Sequence, residues 1–345
     1  GERLWWASSD SSANLVMANM VNSIPANISA VDITGDGYIN YLFAADTGGR
    51  VFRIDLNPSN TSANNFAIGG MIASLAGADA ASNRRFYNKP NVALVKDKQY
   101  GDYLTISIGS GHRAHPIQTT AVSNRFYVIK DTSPYQVPPV LNPNSDPYDD
   151  DIERYSDMVK TEATSNSGAV SSTKLYNATT LMKGTANYDD IASYMNNGGG
   201  WYVTFDTSGE KVLAESTTFS GAIIFTTFSP TGSNSTACGA DTGTSRIYAI
   251  NQKTATASID LDGDGDKDSS KLLAHSGIAP RPVVIYRKGG GKTIAIGTET
   301  INDDRFEESD PDENCEDDNS CGDDVKKCEE NSCNVTPVYW RQNDI

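Results

Sequence analysis

The stretch from Val31 to Leu56, VDITGDGYINYLFAADTGGRVFRIDL, constrains this chain more than any other. From Asp32 to Asn40 it offers side-chain oxygens at Asp32, Thr34, Asp36 and Asn40, with the carbonyl of Tyr38 filling the remaining gap. Gly37 allows the sharp turn that brings alternate residues to one point. Such a set suits a hard cation, since calcium takes roughly six to eight oxygens at about 2.3–2.6 Å. An EF-hand would place a glutamate at the loop's twelfth position, where this chain has Phe43, and would flank the loop with helices. Here the flanks are the short apolar run Tyr41–Ala45, a turn at Asp46-Thr47-Gly48-Gly49, and the alternating run Arg50–Asp55. Those are strand signals, so the loop sits on a β-hairpin.

The same rhythm of short strand and turn continues. Strands are expected at Pro90–Val95, Tyr103–Gly109, Arg125–Ile129, Gly200–Phe205 and Gly221–Phe228, and a hairpin at Pro282–Gly297 around Gly289-Gly290-Gly291. A repeat sharpens this. Ala45-Asp46-Thr47-Gly48-Gly49-Arg50-Val51-Phe52-Arg53-Ile54 aligns with Ala240–Ile250 after one insertion, and Arg125–Ile129 repeats its second half. Three copies of Arg-apolar-aromatic-x-Ile, each behind a turn, predict an all-β chain of radially repeated four-stranded blades, a modified β-propeller. Residues 1–345 are expected to form one such domain, cut from a longer protein, with insertions at about 135–199 and 301–334. The first insertion is expected to lie on one face, with short helices near Asp150–Met158 and Tyr188–Met195, and Val338–Arg341 to supply a closing strand.

A second oxygen loop runs from Asp260 to Asp268, with carboxylates at Asp260, Asp262, Asp264 and Asp268, the carbonyl of Asp266, and pivots at Gly263 and Gly265. Its acid count exceeds that of the first loop. The net charge of -16 argues against a nucleic-acid groove, but it is local, because 14 acidic and three basic residues lie between Asp303 and Glu330. Cys315, Cys321, Cys328 and Cys333 fall in that segment at spacings unsuited to paired zinc ligands, which predicts disulfides and an oxidising compartment; Cys238 stands apart. Their pairing is open. Other motifs dissolve on inspection. Gly289–Thr293 lacks the first glycine of a phosphate loop, where Tyr286 stands. Ser110 has no nucleophile-elbow frame, and His112, His115 and His275 read as surface histidines rather than a zinc set.

Five segments in order, AVDITGDGYINYLFAADTGGRVFRIDL, ISIGSGHRAHP with NRFYVIKD, GGWYVTFDTSGEKVLAESTTFSGAIIFTTFSP, TACGADTGTSRIYAIN and VYWRQ, resemble the C-terminal domain of PilY-type type IV pilus proteins, relatives of the neisserial PilC adhesins. The resemblance implies a propeller, seven-bladed in that family, at the pilus tip or cell surface of a bacterium. It also implies a Ca2+ loop at Asp32, Thr34, Asp36, Tyr38 and Asn40 that sets pilus extension against retraction. Thr34 stands where relatives commonly carry Asp or Asn, and Asn40 where they commonly carry Asp. Twitching motility, surface adhesion and sometimes DNA uptake follow from the resemblance, with minor pilins, the pilus tip complex or a host or abiotic surface as partners, and no enzymatic activity. The alternative is a calcium-dependent quinoprotein-like propeller enzyme, against which the chain has only four tryptophans and no adjacent cysteines. The purified protein is therefore expected to be colourless; a visible absorption band accompanied by dehydrogenase activity would establish the enzyme instead.

Overall fold

The computed structural model describes residues 2–57, 62–63, 65–118, 122–135, 159–230, 243–286 and 292–302. The five cysteines, the acidic segment, the expected helix near Asp150–Met158, the glycine turn at 289–291 and the expected last strand lie outside them.

The chain begins with β1 (Ala7–Ser8) and β2 (Leu15–Val16), a parallel pair. Then come β3 (Ser29–Val31), β4 (Tyr41–Ala45), β5 (Arg50–Leu56) and β6 (Ala67–Ser74), an antiparallel meander. A second meander takes β7 (Asn91–Val95), β8 (Tyr103–Gly109) and β9 (Arg125–Asp131) and finds its fourth strand only at β12 (Gly200–Thr204). Between them lie β10 (Thr161–Glu162), β11 (Lys174–Asn177), α1 (Thr179–Met182) and α2 (Tyr188–Asn197). A third meander runs through β13 (Thr217–Phe219), β14 (Ala222–Ser229), β15 (Thr244–Asn251) and β16 (Ser270–Leu272). β17 (Val283–Tyr286), β18 (Lys292–Ile296) and β19 (Glu299–Asn302) form a three-stranded sheet. The fold is thus all-β, with two helices among the described residues. The Arg-apolar-aromatic-x-Ile repeat has a structural meaning: its copies fall on β5, β9 and β15, the third strand of each four-stranded meander.

Consecutive sheets are joined face to face by separate apolar cores, and single strands serve two of them at once. On β9, Tyr127 and Ile129 join the core shared with the first meander, while Phe126 and Val128 join the one shared with the third. On β14, Ile223 and Phe225 face the second meander, and Ala222 and Ile224 face the β17–β19 sheet. On β5, Val51 faces forward and Phe52 and Ile54 face β1 and β2. Side chains of a strand alternate between faces, so a strand buried on both must read as a continuous apolar run, as YVI and AIIF do here. Between the second and third meanders Phe126 stacks on Phe225 at a centroid distance of 3.8 Å, and Phe225 on Tyr248 at 4.9 Å.

The 135–199 stretch does more than cover a face. β11 and β10 add in parallel to β12 and widen the second sheet to six strands. Lys160 bridges back to Ala73 of β6, so the segment reaches two sheets. Its Glu162 pairs with Arg84 at 3.1 Å and with Arg125, and accepts from the Tyr127 hydroxyl at 2.6 Å. The helix expected at Tyr188–Met195 is present as α2, with Asn187 capping the Asp189 N–H.

Charges also link the sheets. Arg53, fully buried, binds Asp55 at 2.5 Å and reaches across to Asp131 at 2.6 Å and the Ser133 carbonyl at 3.0 Å. Removing one partner of a buried pair leaves an uncompensated charge, so Asp131→Ala is expected to cost about 3 kcal/mol, read as a lowered urea midpoint. Between the second and third meanders, Lys253 donates to Asp97 at 2.6 Å. That bond, helped by the Tyr100 and Gln99 N–H groups, holds the Asp97 carboxyl at about 2, below its usual 3.8. The folded value lies below the unfolded one, so the tie contributes fully above pH 3.8 and is lost as pH falls toward 2. Lys253→Ala is expected to raise the Asp97 pKa, followed by carboxyl-carbon NMR, and to flatten the loss of stability across that interval.

Candidate metal-binding loops

The first oxygen loop joins β3 to β4, whose last pair is Val31 and Tyr41, and the Asn40 N–H closes it on the Val31 carbonyl at 2.8 Å. The second lies between β15 and β16 and closes in the same way, the Asp268 N–H donating to the Ile259 carbonyl at 2.8 Å. Inside, the two are near copies. Asp32 accepts the Gly35 N–H on one carboxylate oxygen (2.7 Å) and the Gly37 N–H on the other (2.8 Å). Asp260 accepts Gly263 (2.5 Å) and Gly265 (3.0 Å) likewise. Asp36 accepts from the Tyr38 N–H as Asp264 does from Asp266, both at 2.9 Å. The ninth residue turns inward in each: Asn40 Oδ1 accepts the Ile33 N–H at 2.8 Å, and Asp268 Oδ2 the Leu261 N–H at 2.9 Å. The glycines hold φ of 72° and 89° in one loop and 91° and 100° in the other, a left-handed region that side chains resist.

This scaffold gathers the first, third and ninth positions. In the second loop, carboxylate oxygens of Asp260, Asp262 and Asp268 all lie within 4.8 Å of one another, a group able to hold a metal ion. In the first, the Thr34 hydroxyl lies 3.2 Å from Asp32 Oδ1 and 3.4 Å from Asn40 Oδ1. Asp264 stands outside the trio of its loop. The Tyr38 side chain is exposed, consistent with a position that would lend only its carbonyl. Burial works to raise the Asp32 carboxyl, but the N–H groups of Gly37 and Gly35 and the Thr34 hydroxyl outweigh it and hold that carboxyl below the usual range. Three converging carboxylates repel one another when no cation lies between them; the first loop, with one carboxylate, a hydroxyl and an amide, avoids that cost and gives up charge.

Antiparallel meanders place the connection between first and second strands, and that between third and fourth, at one end of the sheet. The first loop is of the former kind and the second of the latter, so both leave from the same end of their sheets. His112 and His115, read from sequence as isolated, instead line a cavity with Arg85 and Lys211. The four residues come from three separate connections, and no local pattern announces them.

No family model and no curated protein matches the chain. Among solved structures it is similar to the crystal structure of the Pseudomonas aeruginosa PilY1 C-terminal domain, with a TM-score of 0.51 and 14% identity over 80% of this chain. The match spans 59% of that domain's length. At that identity the likeness is one of fold, and it agrees with the resemblance carried by the sequence segments. A mutant Synechocystis apocarotenoid oxygenase and an ACO/RPE65 chimera align with TM-scores of 0.20 and 12% and 11% identity, over 78% of this chain and 65% of each of theirs, too slight a likeness to bear on the fold.

Proposed function

We propose that this chain is a calcium-binding propeller module of a type IV pilus-associated protein, acting outside the cytoplasm and without enzymatic activity. The carrying observation is the duplicated loop: two nine-residue segments on different sheets that share one hydrogen-bond scaffold and converge the same three positions. Donors in both are oxygens alone, which suits Ca2+ over softer or nitrogen-seeking metals. Asp32, Thr34 and Asn40 with the Tyr38 carbonyl would hold one ion. Asp260, Asp262 and Asp268 with the Asp266 carbonyl would hold the other, and Asp36 and Asp264 flank each site. Stacking of consecutive sheets through separate cores supports a radial arrangement of blades, seven in the proposed closed ring, with the 135–199 segment elaborating one of them. The fold likeness to PilY1 supports a pilus-associated role; motility, adhesion and DNA uptake are its proposed outputs, through minor pilins or a surface at the pilus tip.

Calcium would act by linkage. A ligand that binds only the ordered loop stabilises it by about 2.7 kcal/mol at a hundredfold excess over Kd, enough to fix a hairpin end that a partner reads. Affinity follows ligand charge, so the second loop should bind more tightly. Calcium titrated calorimetrically into chelator-treated protein is expected to give two events. Asp262→Ala should remove the tighter and Asp32→Ala the weaker, each sparing the other. Unchanged heats in both variants would mean that the loops are plain turns.

A further inference from the structure

Against the chain's net charge of -16 stands a cavity of about 360 Å3 lined by Arg85, His112, His115 and Lys211, together with Asn83 and Gln118. Topology sets its position. Arg85 lies on the connection from β6 to β7, the two histidines on that from β8 to β9, and Lys211 just before β13, where its backbone pairs with Phe228 at the end of β14. Each of these connections leaves from the end of its sheet opposite to the end that carries an oxygen loop or the 135–199 segment. The volume falls in the usual range for small-molecule sites, roughly 300–1,000 Å3.

Among the described residues no carboxylate forms an ion pair with Arg85, His112, His115 or Lys211. Lys211 is 3% exposed, and its ammonium donates to the carbonyls of Pro116 at 2.6 Å and Gln118 at 2.7 Å, which leaves one of three donors free. No carboxylate pairs with it among the described residues, and burial alone presses its pKa down. His112 stacks on Tyr87 at 5.6 Å and meets the His115 ring edge-on at 4.6 Å. Its pKa is lowered by burial first and then by the charges of Arg85, His115 and Lys211, the mark of positive groups facing one another. Carboxylates on the same connections are engaged elsewhere. Glu210 accepts from Thr227 and Tyr248 at 2.6 and 2.9 Å, and Asp79 from the Ala81 and Ser82 N–H groups at 2.8 and 2.9 Å. A buried charge is normally paired, and none of the lining residues is acidic.

We infer that this cavity is a binding site for a small hydroxylated oxyanion, with the guanidinium fork of Arg85 and the free Lys211 N–H on its carboxylate or phosphate and the Asn83 and Gln118 amides on its hydroxyls. Arg suits planar oxyanions because two of its N–H groups can bind in parallel. The site is independent of the calcium loops in residues and in sheet end, so it stands or falls separately from the function proposed above.

The test is calorimetry on the whole chain with calcium held constant, using sodium glucuronate as the carboxylate, glucose 6-phosphate as the phosphate, and glucose as the neutral control. At least one anion is expected to bind one per chain while glucose does not, and the stronger of the two identifies the charged group. Arg85→Gln should weaken that binding roughly tenfold or more, which corresponds to about 1.4 kcal/mol, and raising the salt should weaken it further. Calcium heats should be unchanged. If Arg85→Gln fails to fold, Arg85→Lys, which keeps the charge and removes the two-pronged guanidinium, serves in its place with the same direction of effect. Absence of binding by both anions at ligand concentrations up to about 1 mM, equal binding of glucose, or undiminished affinity in the folded variant would each overturn the proposal.

Discussion

Burial of single strands on both faces is the constraint from which the rest of this structure follows. Each residue from Phe126 to Ile129 of β9 and from Ala222 to Phe225 of β14 answers to one of two cores, and the alternation of strand side chains decides which. A slip of one residue would exchange the two sets and send Phe126 toward a space shaped for Tyr127. Register is therefore fixed from both sides, and the connections inherit that precision. Hydrophobic transfer of about 1.5–3 kcal/mol for each large buried side chain supplies the adhesion, while the division of one strand between two cores supplies the order of the sheets.

Polar groups refine what the cores leave adjustable. The Arg53, Asp55 and Asp131 set lies where the first meander meets the second, and Tyr41, beneath Arg53 at 4.3 Å, adds its ring to the charge and its hydroxyl to the Pro134 carbonyl at 3.0 Å. Such a network gains little in net energy over apolar packing, because its desolvation cost is high. What it adds is direction: a guanidinium must meet its carboxylates in one geometry. Glu162 plays the same part from the long connection after β9, taking two arginines and a tyrosine hydroxyl. The described part of that connection, from residue 159 onward, is consequently anchored to the sheets.

Legibility in the sequence followed the range of the interactions. Strands buried on both faces announce themselves as apolar runs, so β4, β5, β8, β9, β12, β14 and β15 were readable, and the repeated arginine motif marked the third strand of each meander. Short outer strands such as β10, β13 and β16 have two or three residues and no pattern of their own; they exist because a neighbour's free edge accepts them. The oxygen loops were readable because their geometry is local, every bond spanning nine residues or fewer. Their internal hierarchy was not: in the second loop Asp264 carries the same residue type as its neighbours, yet only the fold sets it apart from the converging trio. Arg85 and Lys211 lie 126 positions apart in the chain, and no spacing rule relates them.

Both kinds of site share one logic with opposite sign. At one end of the meanders a hairpin connection is short enough to curl on itself, so its own N–H groups organise the acids that would receive a cation. At the other end two connections pass to the next sheet and one joins β8 to β9 within a sheet, and side chains from all three meet without a local scaffold. Positive groups gathered there are held by what surrounds them: Lys211 by two carbonyls of the β8–β9 connection, His112 by the Tyr87 ring. Changes in one connection therefore alter a local loop at the first end and a shared cavity at the second. Sequence drift is tolerated differently by the two. A nine-residue loop can recur whole on another sheet, as Asp32–Asn40 and Asp260–Asp268 illustrate, whereas a cavity assembled from three connections changes whenever any one of them does.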